Sequence, residues 1–421
     1  MIRNLLSTTA SRLIIALINL SIVWLTARFL GAEALGTISL VILGISIIQL
    51  VTSILAGSSL VYQASRYPLA ELLIIAWIWI LISGALVWFI LKTLKLIPVE
   101  FQIDVLLLSF LGSIITVNQN IFLGKEKVNL FNLIAVLQSV MVLIPLSVFI
   151  IFSKWINVTA YITAQYISMG CVAIISLKLI IPPLKTLKLP TVSLVKEAFK
   201  FGGYIQAGNF IQLFNYRLSY YIIEKFFDRA TLGVFSVGVQ IAESIWILGK
   251  SMAVLLYSRI SNSRDNEYSA RLTLNFLKFT GYTTTILILI ILVLPEQFFE
   301  WIFSKEFNHI TEVIASLSIG ILSVSISLMF SHYLSGIGKP HYNTIAALIG
   351  LIFTLILGFT LIPYLGLTGA GISASVSYLS GTIYQAIIFK KSANVKWKAF
   401  IAKKEDFQQV SIEVKNFLTR K

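Results

Sequence analysis

"RFLGAEALGTISL" (Arg28–Leu40) and "KFFDRATLGVFSV" (Lys225–Val237) lie 197 positions apart, yet share a basic residue, Phe, a later Leu-Gly and a Ser three places after that Gly. A second pair, "LGKEKVNLFNLIA" (Leu123–Ala135) and "IGKPHYNTIAALI" (Ile337–Ile349), shares Gly-Lys and a later Asn at an offset of 214. Two echoes in the same order mark a duplicated chain. The offset grows because the second half has longer loops near 259–272 and 296–312.

The solvent of the duplicated unit follows from composition. The 421 residues are 57% hydrophobic and 12% charged, about half the charge of an ordinary soluble domain. Such a chain cannot cover its own surface with polar groups, so the expected solvent is the bilayer. A crossing helix needs roughly 20 mostly apolar residues. Twelve such runs are expected, near 10–30, 37–62, 69–91, 103–123, 129–152, 157–181, 199–223, 232–256, 273–295, 313–336, 342–363 and 368–389. Pro98, Pro182, Pro183, Pro190 and Pro340 stand between runs, where helices stop. The run Leu13–Leu30 has no small-residue cleavage site and is read as a retained span.

The first repeat pair falls at the entry to the second helix of each six-helix set. An even number of crossings per unit keeps both units in the same orientation. The expected fold is therefore all-α: an integral membrane protein of twelve helices in two six-helix bundles, a parallel repeat around a central cavity. Its expected divisions are a bundle at 1–181, a cytoplasmic connector at 182–198, a bundle at 199–389 and a basic tail at 390–421. In that tail Phe407, Val410, Val414, Phe417 and Leu418 share a helical face, the pattern of an interfacial amphipathic helix.

The formal charge of +15 is not a nucleic-acid signal once mapped. Of 33 Lys and Arg, 23 fall in the tail and the loops on one side, and seven on the other. Basic loops stay inside, so both termini are expected in the cytoplasm.

Enzyme chemistry finds no footing. Cys171 is alone, and His309, His332 and His341 have no ligand spacing, so neither a metal nor another cofactor is expected. There is no phosphate-binding loop, and "GTISL" lacks the second Gly of a nucleophile elbow. Glu296, Glu300, Glu306 and Glu312 read as a solvated outer loop.

Charges at membrane depth are more informative, because one at a helix centre costs about 2.5–3.5 kcal/mol on insertion scales. On the seventh helix Gln206, Asn209, Tyr216, Arg217 and Tyr220 share one arc, about 100° wide at 100° per residue. On the eighth, Ser236, Gln240, Glu243 and Lys250 share another. Glu243 and Lys250 are two turns apart, roughly 10 Å, too far for contact. Lys278 lies inside the ninth. Arg217, Lys250 and Lys278 against Glu243 leave surplus positive charge, which suits an anion; an Arg fork matches phosphate oxygens. The alternative is that Arg217 and Lys278 snorkel to opposite faces while Glu243 neutralises Lys250. Glu243 is also a candidate ion-coupling site. In the first half, Arg12, Asn19 and Thr26 share a stripe, as do Ser39, Ser46, Ser53 and Gly57, and Asn118, Gln119 and Asn120 cluster. These suit either a sugar's hydroxyls or the close packing of membrane helices.

"ARFLGAEALGTISL" (27–40), "NYRLSYYIIEKFFDRATLGVFSVGVQIAESIW" (215–246), "YLSGIGKP" (333–340) and "LIPYLGLTGAGISASVSY" (361–378) together resemble polysaccharide-unit transporters of the O-antigen flippase type. Multidrug and toxin extruders and lipid II flippases belong to the same superfamily. The resemblance implies alternating access by two bundles in a bacterial cytoplasmic membrane. It implies as cargo an oligosaccharide unit on a polyprenyl pyrophosphate, with membrane lipids and other polysaccharide-assembly proteins as partners. Many relatives carry Asp two residues after the Arg of the seventh helix; Ser219 stands there, which removes one ion or proton site. The other reading within the superfamily is a multidrug cation antiporter.

Overall fold

The computed structural model describes residues 2–64, 66–180, 190–263 and 265–401. Among these residues there is no strand, and almost all are helical. The helices are α1 (Ile2–Ala56), α2 (Ser58–Gln63), α3 (Leu69–Thr93), α4 (Gln102–Gly124), α5 (Val128–Ser147), α6 (Val158–Ile180), α7 (Val192–Phe226), α8 (Arg229–Ser261), α9 (Asn266–Val293), α10 (Glu296–Ile302), α11 (Ile310–Gly336) and α12 (His341–Ala393). Residues 182–189 of the expected connector, and the tail face from Phe407 to Leu418, lie outside the described residues; 192–198 form the start of α7.

Nine helical stretches among the described residues are long and apolar enough to cross a membrane. The sequence pattern gives twelve; the difference lies at three places. α1 and α12 each run on where the pattern expects two helices, and α7 is too polar to qualify, with Gln206, Asn209, Gln212, Asn215 and Arg217 along its length. α1 nevertheless breaks at Gly31 (φ 85°, ψ 178°) and α12 at Gly366 (φ 55°, ψ −128°). Both lie in backbone regions that side chains with a Cβ avoid. Just past the second break, the Thr368 hydroxyl donates to Glu312. The acidic stretch read as loop therefore includes the short α10 and a carboxylate with a fixed partner.

Large apolar side chains lie open along these helices, including Leu81, Ile82, Leu86 and Phe89 on α3. In the most apolar window of the Val128–Phe152 span only 22% of residues are buried within the protein. Water cannot be the medium for such a surface, and lipid is. The chain is a multi-pass membrane protein.

Two compact units divide the chain at residue 210, inside α7. In the first, α6 packs on α4 and α5 while α3 packs on α4. The first turns of α7 belong to this unit. Phe199 meets Trp79 edge-on at 4.7 Å, Phe201 stacks on Tyr62 at 5.1 Å, and the Tyr67 hydroxyl donates to Glu197. That packing explains why the division lies later than 199. In the second unit α11 is central, flanked by α8, α9 and α12.

The repeats acquire a backbone meaning. Gly31 and Asp228 occupy matching positions, 197 apart, and both mark a helix break. Where Gly31 turns with a positive φ, Asp228 caps α8 by accepting from the Thr231 backbone N–H at 2.7 Å. In the second echo, the Lys127 N–H bonds the Phe122 carbonyl and the Lys339 N–H bonds the Leu334 carbonyl, each at 2.8 Å. Both are Schellman closures, with Glu126 and Gly338 in the left-handed position. The backbones thus correspond at an offset of 212, two less than the one that matches the Gly-Lys letters.

The Thr231 amide holds the Asp228 carboxyl below its ordinary range. A depressed pKa in the folded state contributes stability above the unfolded pKa and loses it as pH falls. Asp228→Ala is expected to lower stability by about 1 kcal/mol, and Asp228→Asn by less. Thermal unfolding in detergent measures both, and the Asp228→Ala deficit should shrink on acidification.

Candidate functional site: an ion pair in an aromatic cluster

Tyr216, Arg217 and Tyr220 occupy one turn of α7. Glu243, Trp246 and Lys250 follow one another on α8 at spacings of three and four, so they share a face. The structure brings these faces together. Arg217 Nη1 lies 2.7 Å from Glu243 Oε1, with the side chains 24% and 26% exposed. Nη1 itself is shut off from solvent and directs no N–H squarely at an acceptor. The contact is therefore an ion pair with unused donor capacity, not a linear hydrogen bond. The guanidinium carbon also lies 5.3 Å from the Tyr220 ring centre.

Aromatic rings cluster beside the pair. Tyr216 lies 5.7 Å from Trp246 and 5.1 Å from Tyr378 of α12; Trp246 and Tyr378 are 6.3 Å apart. The Trp246 Nε1–H donates to the Ile321 carbonyl of α11 at 3.2 Å, which fixes the indole. Lys250 Nζ lies 5.8 Å from that ring. Edge-to-face rings and cations near ring faces each add a modest stabilisation. The cavity bounded by Tyr216, Ser219, Glu243, Trp246 and Tyr378 holds about 10 Å³, space for one water at most.

The other expected residues divide. Lys250 is exposed and Lys278 half-buried on α9; neither is among the cavity's lining residues. The Gln240 amide donates to the Ser236 carbonyl of its own helix. Gln206 is 7% exposed and belongs to the first unit, donating to the Ser53 carbonyl and accepting from Asn209 at 3.0 Å. The single wet stripe expected along α7 is thus interrupted. Asn19 is exposed on α1. Asn118, expected to line a cavity, is fully buried and donates to Ser176 at 2.8 Å. It is a packing contact between α4 and α6. Asn120 likewise donates to the Ala56 carbonyl.

Three residues escape sequence reasoning. Trp246 and Tyr378 carry no charge and no spacing that singles them out. Asn215, one position from Arg217, is 6% exposed and accepts from Thr354 at 2.8 Å and from Ser377 at 2.6 Å. Its network ties α7 to both parts of α12. Asn215→Ala would strip the acceptor from two buried hydroxyls, and a loss of about 1–3 kcal/mol is expected. The midpoint of thermal unfolding in detergent should fall accordingly, while Ser219→Ala stays near wild type.

Comparison with known proteins follows these features. An uncharacterized membrane protein of Methanocaldococcus jannaschii, MJ1068, is 26% identical over 308 residues, covering 68% of this chain and 60% of its own. The capsular polysaccharide biosynthesis protein CapF of Staphylococcus aureus is 22% identical over 173 residues, 40% of this chain and 44% of its own. The chain thus spans well under two thirds of either relative. Among solved structures, the lipid II flippase MurJ in an inward closed conformation superposes with a TM-score of 0.72 at 16% identity, covering 99% of this chain and 97% of that one. An inward-facing multidrug resistance MATE family transporter of the MOP superfamily gives 0.71 at 16% identity, over 92% and 96%. A MOP superfamily transporter from Pyrococcus furiosus gives 0.66 at 16% identity, over 93% and 95%. The fold is that of MOP superfamily transporters. The model of the polysaccharide biosynthesis protein family matches residues 25–312, more than half of the sequence, and the chain belongs to that family.

Proposed function

We propose that this chain flips polyprenyl-pyrophosphate-linked oligosaccharide units across a bacterial cytoplasmic membrane by alternating access, for O-antigen or another surface polysaccharide. The observation that carries the reading is Arg217: a guanidinium in an apolar helical protein, beside a cluster of aromatic side chains, in a chain of the polysaccharide biosynthesis family. A pyrophosphate supplies oxygens that match the Arg fork. Aromatic faces such as Tyr216, Tyr378 and Trp246 suit the apolar faces of sugar rings. Lys250, two turns along α8, and Lys278 add positive charge along the route. The lipid tail stays in the bilayer while the headgroup crosses. Both termini lie in the cytoplasm, and twelve crossings result when α1 and α12 each count as two and α7 also spans.

The printed functions of two similar proteins, capsular polysaccharide biosynthesis and lipid II flipping, support this cargo class. An antiporter of small organic cations would need an uncompensated carboxylate. Glu243 is instead paired with Arg217, which weighs against the cation. The role falls to this chain's residues as binders and guides; no catalytic step is part of the proposal.

Arg217→Ala is expected to abolish most surface polymer and to leave lipid-linked glycan on the cytoplasmic leaflet. Arg217→Lys should retain partial export, because charge survives but the fork does not. Polymer immunoblots, with leaflet-specific labelling of the glycan, measure both; normal polymer from well-inserted Arg217→Ala protein overturns the proposal.

A further inference from the structure

We infer that the Glu243 carboxylate is a tethered competitor: it holds the place on Arg217 that a pyrophosphate takes during transport, and its return drives release. The inference rests on the reading of Arg217 as the anion-binding group. It assigns Glu243 a role distinct from carrying a coupling ion.

The geometry argues for substitution of one anion by another. Glu243 Oε1 stands 2.7 Å from Nη1, the distance a phosphate oxygen takes to a guanidinium. Nη1 is sealed from solvent and faces the carboxylate at 2.7 Å, so a second anion reaches that nitrogen only when the pair opens. A ligand that takes Nη1 must therefore displace the carboxylate. Displacement is locally feasible. Glu243 is 26% exposed, so its carboxylate has an open side toward which to swing. Its backbone is anchored, one turn from Trp246, whose indole is fixed on the Ile321 carbonyl.

Two consequences follow from competition. Apparent affinity for the anion is reduced by the fraction of time Arg217 is occupied. After flipping, Arg217 need never stand uncompensated, because Glu243 reoccupies it as the anion leaves; a buried charge stripped of its partner is strongly disfavoured. Lys250 lies two turns further on the same face of α8, its Nζ 5.8 Å from the Trp246 ring. It supplies the attraction that brings the anion in before Arg217 is exchanged.

The test uses the full chain purified in detergent, with inorganic pyrophosphate as probe. Binding is read by calorimetry and by indole fluorescence, to which Trp246 contributes. Glu243→Gln, close in shape and uncharged, is expected to bind about tenfold more tightly than wild type. Its surface polymer in cells should nonetheless fall, because release slows. Arg217→Gln should lose binding, and the double variant should behave as Arg217→Gln. If Glu243→Gln is not monodisperse, Glu243→Asp replaces it: a charge on a shorter stem should give an affinity between the two. Equal or weaker binding by either Glu243 variant, with binding still lost in Arg217→Gln, overturns the competitor and leaves the anion site standing. Unaltered binding by Arg217→Gln overturns the anion site, and the competitor with it.

Discussion

A guanidinium cannot rest among apolar helices without a counter-charge, and much of the second unit's arrangement around α7 is legible as the answer to that constraint. Arg217 is met by Glu243 at 2.7 Å. To set Glu243 there, α8 must begin in a defined register, which the Asp228 cap provides, and must present one particular face to α7. The Trp246 bond to Ile321 holds that face against α11, and Asn215 holds α7 against α12. A partly buried pair of this kind contributes little net stability relative to apolar residues of the same volume.

The duplication shows how one architectural need is met by two chemistries. At the first break a glycine takes a conformation closed to other residues. At the matching position an aspartate ends one helix and starts the next by capping. The other echo is solved identically in both halves, by a left-handed residue and a five-residue back-bond. Backbone geometry here is retained across positions where the letters differ, Glu126 against Gly338.

Much of the fold was legible in the sequence because lipid imposes a simple demand: long apolar runs with every backbone group satisfied inside the helix. Less legible was the side each helix turns to its neighbours. Apolar residues face both lipid and protein, so periodicity does not distinguish Leu86, which lies open, from Leu72, which is buried. The site shows the same boundary. Arg217, Glu243 and Lys250 stand out as charges at depth, and an arc on each helix follows from the 3.6 repeat. Which charge meets which depends on the rotation of α8 against α7, and no single helix encodes it; the pattern left Glu243 between Lys250 and Arg217. Tyr378 arrives from 161 positions beyond Arg217, and its aromatic ring carries no signal of its own. The first-half amides, which the sequence leaves between sugar contact and packing, divide on the same ground. Asn118 is polar at membrane depth, as a lining residue would be, but its hydrogen bond to Ser176 satisfies it inside a helix contact.

The cavity beside the pair also bears on what the resting protein must not do. A flippase of the proposed kind would be embedded between compartments of unequal pH and voltage. A space of about 10 Å³ admits one water and no file of them, and protons hop only along connected files. On the proposed reading, this filled space beside the clasped carboxylate and guanidinium gives protons no water file to follow, a form of electrical insulation between cargoes.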